Sequence, residues 1–149
     1  ITLRVANPYG ERQRIETAQG AVSVFLHHAI KGTPIQIWGD GSVTRDYIHV
    51  TDVANAFSRA LKYSGAQRVF NVSSGVGTSL NDLIVRIEDV LGKSLERYNL
   101  PGRSFDVPAN VLCNELARSE LKWTPLVSLD QGIGQTAKWM RRELASSAG

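Results

Sequence analysis

Two spacings of apolar residues along the chain predict that strands and helices alternate. Short apolar clusters predict strands at residues 2–6, 35–38, 47–50 and 69–72. Apolar residues that recur every three or four positions predict amphipathic helices that begin near residues 21, 51, 79, 115 and 128. The pattern therefore predicts a mixed α/β fold, with few and short strands for the number of helices.

Several of these helices carry residues that commonly start or stop a helix. Gly32 and Gly92 follow the last apolar residue of two helices, where glycine readily adopts a left-handed conformation. The residues suited to cap a first turn are Thr51, Ser79 with Asp82, and Ser128 with Gln131. The helix ends are thus predicted independently of the apolar faces.

The segments between these elements are expected to be irregular. Residues 7–19 have no period and predict an exposed loop, and residues 93–113 predict extended segments and loops. Residues 39–41 predict a turn that joins two strands into a small hairpin-like unit, and residues 75–78 predict a second turn. Irregular segments often hold binding sites.

Composition narrows the class of protein. The chain has 149 residues, 42% hydrophobic and 21% charged, which suits one compact unit. It has no apolar run of the roughly 18 residues that span a bilayer, and its basic residues are scattered, so we expect neither a membrane nor nucleic acid as a partner. The single cysteine, Cys113, indicates the cytoplasm. Because the chain opens at Ile1 in a predicted strand, we expect it to be cut from a longer protein.

Two motifs of nicotinamide-dependent enzymes are missing from the sequence. There is no Gly-x-Gly-x-x-Gly to hold a dinucleotide at a helix terminus, and no tyrosine has a lysine four residues on. His27 and His28 would point to different sides of a helix, and His49 lies far along the chain, so no metal site is predicted. These residues alone are not expected to hold NAD conventionally.

Two arginines each lie close to a carboxylate on a predicted irregular segment. Arg45 precedes Asp46, and Arg103 comes three residues before Asp106. Singly, each arginine is compatible with a solvated side chain or a surface ion pair of small value. The functional alternative is an arginine aimed at a phosphate, because a guanidinium can donate two parallel hydrogen bonds to phosphate oxygens.

Five short motifs follow one another along nearly the whole chain. They are Arg4-x-x-Asn7-x-Tyr9-Gly10, Gly39-Asp40-Gly41-x-x-x-Arg45-Asp46-Tyr47-x-x-Val50-x-Asp52-Val53-Ala54, Asn71-Val72-x-Ser74-Gly75, Pro101-x-Arg103-x-x-Asp106-Val107 and Leu121-x-Trp123-x-Pro125. In this order they resemble the extended short-chain dehydrogenase/reductase family, in its NAD-dependent epimerase/dehydratase branch, and most of all the UDP-glucose 4-epimerases. The chain departs from the usual pattern at Glu11, where proline is common, and at Ala21, where some epimerases carry asparagine.

The resemblance implies a fold and a division of the chain. The single fragment 1–149 would be a carboxy-terminal substrate-binding lobe with the last elements of a Rossmann-type domain whose amino-terminal part is absent. Residues 1–10 and parts of 51–75 would belong to the Rossmann-type domain. Residues 11–50 and 76–149 would mainly form the lobe that binds a sugar nucleotide, and the parent enzyme would be a homodimer.

The resemblance also implies roles for single residues. Asn7 would hydrogen-bond the pyrophosphate of the substrate, Arg45 and Arg103 would neutralise it, and Asp106 would meet the ribose or an arginine. The residues implied to line the nucleotide are Ala21, Val22, Gln36 and Ile37, and those implied to abut the nicotinamide of NAD are Ala6 and Asn7. The motif residues explained well enough by capping and packing are Asp52, Trp123 and Pro125.

The activity implied for the parent protein is NAD-dependent 4-epimerisation of a UDP-sugar. This chain would bind and orient the substrate, and it would be inactive alone. Two alternatives stay open from the sequence: a nucleotide-sugar 4,6-dehydratase or decarboxylase of the same family, and a non-catalytic lobe that binds a nucleotide.

Overall fold

The computed structural model describes residues 1–13, 20–103 and 106–146. The strands are β1 (Thr2–Val5), β2 (Asn7–Tyr9), β3 (Ile35–Trp38), β4 (Thr44–His49), β5 (Val69–Val72), β6 (Gly77–Ser79), β7 (Arg97–Leu100) and β8 (Ala109–Asn110). The helices are α1 (Ala21–Lys31), α2 (Val50–Leu61), α3 (Leu80–Leu91), α4 (Glu115–Glu120) and α5 (Leu129–Ser146). This order confirms the predicted α/β class. No helix in the described ranges is both long and apolar enough to cross a membrane.

Parallel pairing joins strands that lie far apart along the chain. β1 pairs with β5, and β3 pairs with β7, each in a parallel two-stranded sheet. β4 is the centre of a larger sheet, where it pairs in parallel with β2 and β8 and antiparallel with β6. The predicted hairpin-like unit is therefore wrong, because β3 and β4 lie in different sheets and each finds its partner at a distance.

Strands form in a predicted loop and in a predicted turn, and β7 and β8 lie in residues 93–113, where extended segments are predicted. Residues 7–9, placed in an exposed loop, form β2, and the side chain of Tyr9 is buried. Residues 14–19 of the same predicted loop lie outside the described residues. β6 begins within the turn predicted at 75–78. Both strands are three residues long, too short for an alternating apolar pattern to stand out.

The local signals at helix ends are confirmed for α1, α3 and α5. Gly32 and Gly92 follow α1 and α3 in left-handed conformation, with φ of 68° and 66°. The capping pairs form as predicted: the Asp82 amide donates to the Ser79 hydroxyl at 3.0 Å, the Gln131 amide donates to the Ser128 hydroxyl at 3.3 Å, and the Ser128 amide donates to the Gln131 side chain at 3.2 Å. These caps depend only on neighbouring residues, which is why the sequence predicts them.

The start of α2 differs from the prediction that Thr51 caps it. The helix begins at Val50, and the ring of the preceding His49 accepts a hydrogen bond from the Thr51 amide at 3.5 Å. The Asp52 carboxylate instead accepts from the amides of Leu126 and Val127, both at 3.0 Å. It therefore ties the segment before α5 to α2.

Apolar side chains form two cores. The first packs α1, α3 and α5 around β3, with Tyr9 and Tyr47 from the central sheet. The second lies around β5, α2, α4 and the buried Trp123. The helical spacing of Val53, Phe57, Ala60 and Leu61 predicts one packed face of α2. Phe57 and Leu61 are nevertheless 53% and 88% exposed, because the buried side of this helix is formed by Asp52, Ala56 and Ala60.

Candidate functional site

A cleft of about 260 Å³ is lined by β2, β4, the start of α1 and the segment that follows β7. Six residues singled out from the sequence line it: Asn7, Ala21, Val22, Arg45, Arg103 and Asp106. They come from four separate parts of the chain. The fold therefore brings together residues whose spacing in sequence gives no reason to expect contact.

Two backbone carbonyls hold the guanidinium of Arg45. Its Nη1 donates to the Thr44 carbonyl at 2.8 Å and to the Val107 carbonyl at 2.7 Å. Val107 reaches this position because β8 pairs with β4, and the Thr44 amide donates to the Pro108 carbonyl at 2.8 Å. A guanidinium carries five N–H donors, so the N–H groups of Arg45 that do not bind these two carbonyls can donate to a ligand.

Arg103 stands over an aromatic ring at the end of β3. Its guanidinium carbon lies 4.0 Å from the centroid of the Trp38 ring, a cation–π arrangement. The β3–β7 register sets this geometry, since Trp38 pairs with Leu100 and the Gly39 amide donates to the Leu100 carbonyl at 2.9 Å. Stacking on Trp38 narrows the conformations open to an exposed arginine.

Asn7 is fixed by its strand neighbour. It pairs with Tyr47 across the parallel β2–β4 ladder, and its Nδ2 donates to the Asp46 carbonyl at 2.9 Å. An amide nitrogen has two hydrogens, so one of them can still reach a ligand in the cleft.

The buried carboxylate of Asp46 joins two other backbone segments to β4, at Ser74–Gly75 and at Leu112. Asp46 is fully buried and accepts hydrogen bonds from the Ser74 amide at 2.9 Å, the Ser74 hydroxyl at 2.6 Å and the Gly75 amide at 3.1 Å. The Leu112 amide also donates to it, at 3.3 Å. The surface pair of Arg45 with Asp46 considered from the sequence does not form, because this carboxylate points inward to the backbone.

The cleft has an excess of positive charge. Within the described part of the chain, neither Arg45 nor Arg103 forms an ion pair with a carboxylate. Asp106 lines the same cleft, and its amide donates to the Arg103 carbonyl at 3.2 Å. In residues 1–13, 20–103 and 106–146 no group of three His, Cys, Asp or Glu side chains could hold a metal ion. Two guanidinium groups beside one carboxylate favour an anionic ligand.

The start of α1 adds to this positive potential. Gly20 stands at the N-cap with φ of 84°, and among the described residues no side chain caps the helix by a hydrogen bond. The first turn contains no acidic residue, and Ala21 and Val22 line the cleft. A helix start carries partial positive charge and orients amide N–H groups toward an anion.

Three of the predicted site residues are not among those that line the cleft. Gln36 is exposed and Ile37 is buried in the first core, because successive side chains of β3 point to opposite faces. Ala6 is half-buried between β1 and β2. Their predicted contacts with nucleotide and cofactor remain predictions.

Three aromatic residues that are not predicted site residues also line the cleft: Tyr9, Trp38 and Tyr47. The alternation in β3 places Trp38 on the outward face with Gln36, and this signal was available in the sequence. Burial raises the pKa of the Tyr47 phenol to about 12, although the nearby Arg45 charge acts in the opposite direction. The phenol is therefore neutral at physiological pH.

Comparison with known proteins agrees with the sequence motifs. Residues 1–73 match the model of the NAD dependent epimerase/dehydratase family. The chain is 38% identical to dTDP-4-dehydro-6-deoxyglucose reductase of Escherichia coli, over 95% of this chain and 45% of that protein. It is 39% identical to UDP-glucose 4-epimerase of Mycolicibacterium smegmatis, over 93% of this chain and 44% of that protein.

A solved structure shows the same fold. The crystal structure of UDP-glucose 4-epimerase from Thermotoga maritima with UDP-glucose superposes with a TM-score of 0.90 at 36% identity, over 95% of this chain and 46% of that chain. This chain thus spans somewhat less than half the length of the relatives it matches. With the motifs, the α/β fold and these matches in agreement, the chain belongs to the NAD-dependent epimerase/dehydratase family.

Proposed function

We propose that this chain is the substrate-binding part of an NAD-dependent nucleotide-sugar epimerase, and that the substrate is a UDP-sugar changed at carbon 4. The observation that carries the proposal is the shared cleft of Arg45, Arg103 and Asn7, in which neither guanidinium has a carboxylate partner in the described residues. A diphosphate brings two charges and forked acceptors, which match two guanidinium groups.

Three residues of the cleft bind the substrate in this proposal: Arg45, Arg103 and Asp106. Arg45, anchored by two carbonyls, and Arg103, stacked on Trp38, hold the diphosphate from two sides. Asp106 accepts a hydrogen bond from a ribose hydroxyl. Holding the diphosphate in this way fixes the direction in which the sugar leaves the cleft, and such positioning lowers the barrier of the chemical step.

The cofactor of the proposed enzyme is NAD, which exchanges hydride with the sugar. The sequence contains neither the glycine motif nor the Tyr-x-x-x-Lys pair. Cofactor binding and catalytic proton transfer would therefore belong to the rest of a longer enzyme. Ala6 and Asn7 would abut the nicotinamide. Alone, the chain would bind substrate without turnover.

The β1–β5 sheet supports the proposed division of the chain, whereas the β2–β4 pairing crosses it. β1 and β5 pair in parallel, and α2 lies between them in sequence, an arrangement typical of a Rossmann-type domain. We assign residues 1–10 and parts of 51–75 to that domain. Residues 11–50 and 76–149, which carry both arginines, would mainly form the substrate lobe.

Titration with UDP tests the proposal directly. We expect the 149-residue chain to bind UDP more tightly than uridine, and we expect Arg45→Ala and Arg103→Ala each to weaken UDP binding about 10- to 100-fold, because each loses charge-assisted hydrogen bonds. Isothermal titration calorimetry measures the dissociation constants. Thermal unfolding of each variant checks that it is folded.

The matched control is Arg59→Ala, which removes an exposed arginine on α2 and changes the net charge equally. It should leave UDP binding within about twofold of the wild type, since exposed charges at a distance are screened by salt. Equal UDP affinity in the Arg45→Ala, Arg103→Ala and Arg59→Ala variants would contradict the proposal.

The identity to a dTDP-sugar reductase favours a second candidate, a member of the family that takes dTDP-sugars. The same cleft would bind the diphosphate of either nucleotide, so the arginine variants do not separate the two candidates. Titration with dTDP beside UDP does, because only the base and the ribose differ.

A further inference from the structure

The hydroxyl group of Tyr47 is buried without a hydrogen-bond partner. The side chain is 6% exposed, and its phenol oxygen has no partner in the described residues. A buried polar group left without a hydrogen-bond partner destabilises the folded protein. Such groups are few in folded proteins, and each calls for an explanation such as a ligand or an ordered water.

The position of Tyr47 points to a ligand. Tyr47 lies on β4 two residues after Arg45, pairs with Asn7 across the ladder, and lines the cleft with both of them. Its side chain also lines a neighbouring cavity of about 410 Å³, beside the Arg86–Asp130 ion pair. The phenol thus stands next to the residues assigned to the diphosphate.

The protonation state decides what the phenol can do. Burial raises the pKa of Tyr47 to about 12, even with Arg45 nearby. At neutral pH the group is a neutral O–H, which can donate to an anion without adding negative charge to the site. A phosphate oxygen held by Arg45 is the acceptor that this position offers.

We propose that the Tyr47 hydroxyl is a further binding group of the cleft, which donates a hydrogen bond to a phosphate oxygen of the nucleotide held by Arg45. This inference rests on the proposed function, because it needs a nucleotide in that cleft. The group is held ready in the free protein at a cost in stability and finds its partner only when the ligand binds.

The variant Tyr47→Phe tests the proposal through two effects of opposite sign. We expect the dissociation constant for UDP to rise about tenfold, the loss of one hydrogen bond to a charged acceptor, while binding of uridine is unchanged. The free variant should unfold at a temperature about 2 to 4 °C higher than the wild type, since the unsatisfied hydroxyl is gone. Calorimetric titration and thermal unfolding measure the two effects.

The control Tyr63→Phe removes a hydroxyl that does have a partner, because Tyr63 donates to the Glu120 carboxylate at 2.7 Å. Its UDP affinity should match the wild type and its stability should not rise. If Tyr47→Phe binds UDP as tightly as the wild type while Arg45→Ala does not, this inference falls and the proposed function stands.

Three other results also overturn the inference. Equal weakening of UDP and uridine by Tyr47→Phe would show that the hydroxyl does not serve the phosphate. A lower unfolding temperature of the free variant would show that it has a partner without ligand. Failure of the wild-type chain to bind UDP would remove the proposed function and this inference with it.

Discussion

Replacing Asp46 with alanine is expected to lower the free energy of unfolding by about 3 to 5 kcal/mol. The carboxylate is fully buried and accepts four hydrogen bonds, from Ser74, Gly75 and Leu112. Alanine would leave the amide N–H groups of Ser74, Gly75 and Leu112 without this acceptor, and an N–H group that finds no other partner costs about 1 to 3 kcal/mol. Denaturation by urea, monitored by circular dichroism, measures the loss.

The control for Asp46 is Asp89→Ala, which removes an exposed carboxylate on α3. It should change the free energy of unfolding by no more than about 0.5 kcal/mol, as is usual for surface substitutions. A loss below about 1 kcal/mol in Asp46→Ala would mean that water replaces the carboxylate and that the network is not structural. Because Asp46 is the neighbour of Arg45 on β4, a large loss of stability in Asp46→Ala should be accompanied by weaker UDP binding of the variant molecules that remain folded.

Two glycines of α5 are expected to respond to alanine with opposite signs. At Gly132 an added Cβ would lie 2.8 Å from Cζ of Tyr9 and 2.9 Å from Cδ2 of His49, and both of these rings are buried. We expect Gly132→Ala to lower the free energy of unfolding by about 3 kcal/mol, since overpacking of a core outweighs the gain in helix propensity. Because Tyr9 lines the cleft, UDP affinity should fall as well.

Gly134 is the matched position two residues on. There the nearest atom to an added Cβ, Cγ1 of Val90, is 3.8 Å away, an ordinary van der Waals distance. We expect Gly134→Ala to raise the free energy of unfolding by about 0.5 to 1 kcal/mol, the usual difference between the two residues in a helix. Urea denaturation measures the free energy of unfolding of each variant. If it rose in both Gly132→Ala and Gly134→Ala, the tight packing of Gly132 against Tyr9 would be contradicted.

The helices of this chain were predictable because their signals are local. Apolar spacing and caps such as Ser79 with Asp82 involve residues within one or two turns of each other. Strand pairing was not predictable in the same way, since β1 pairs with Val69–Val72 and β3 with Arg97–Leu100, far along the chain. The hairpin expected at residues 39–41 failed for this reason: a turn shows that the chain reverses, but not which strand it meets.

The candidate site shows the same limit. Apart from the family resemblance, nothing near Arg45 in sequence indicates that Arg103 shares its cleft; the β3–β7 and β4–β8 pairings produce that proximity. Strand alternation alone places Trp38, and not Ile37, on the outward face of β3. The sequence does not indicate that the Tyr47 hydroxyl lacks a hydrogen-bond partner, because this depends on the three-dimensional position of every acceptor and donor around it.

The parallel pairings also bear on how the protein is made. During synthesis, β1 cannot pair with β5 until Val69–Val72 has emerged from the ribosome, and β3 cannot pair with β7 until Arg97–Leu100 has emerged. During that interval the open edges of both strands can meet other nascent chains, and closing such long loops makes folding slow. Chaperone demand should accordingly fall once Arg97–Leu100 has been released and both pairings can form.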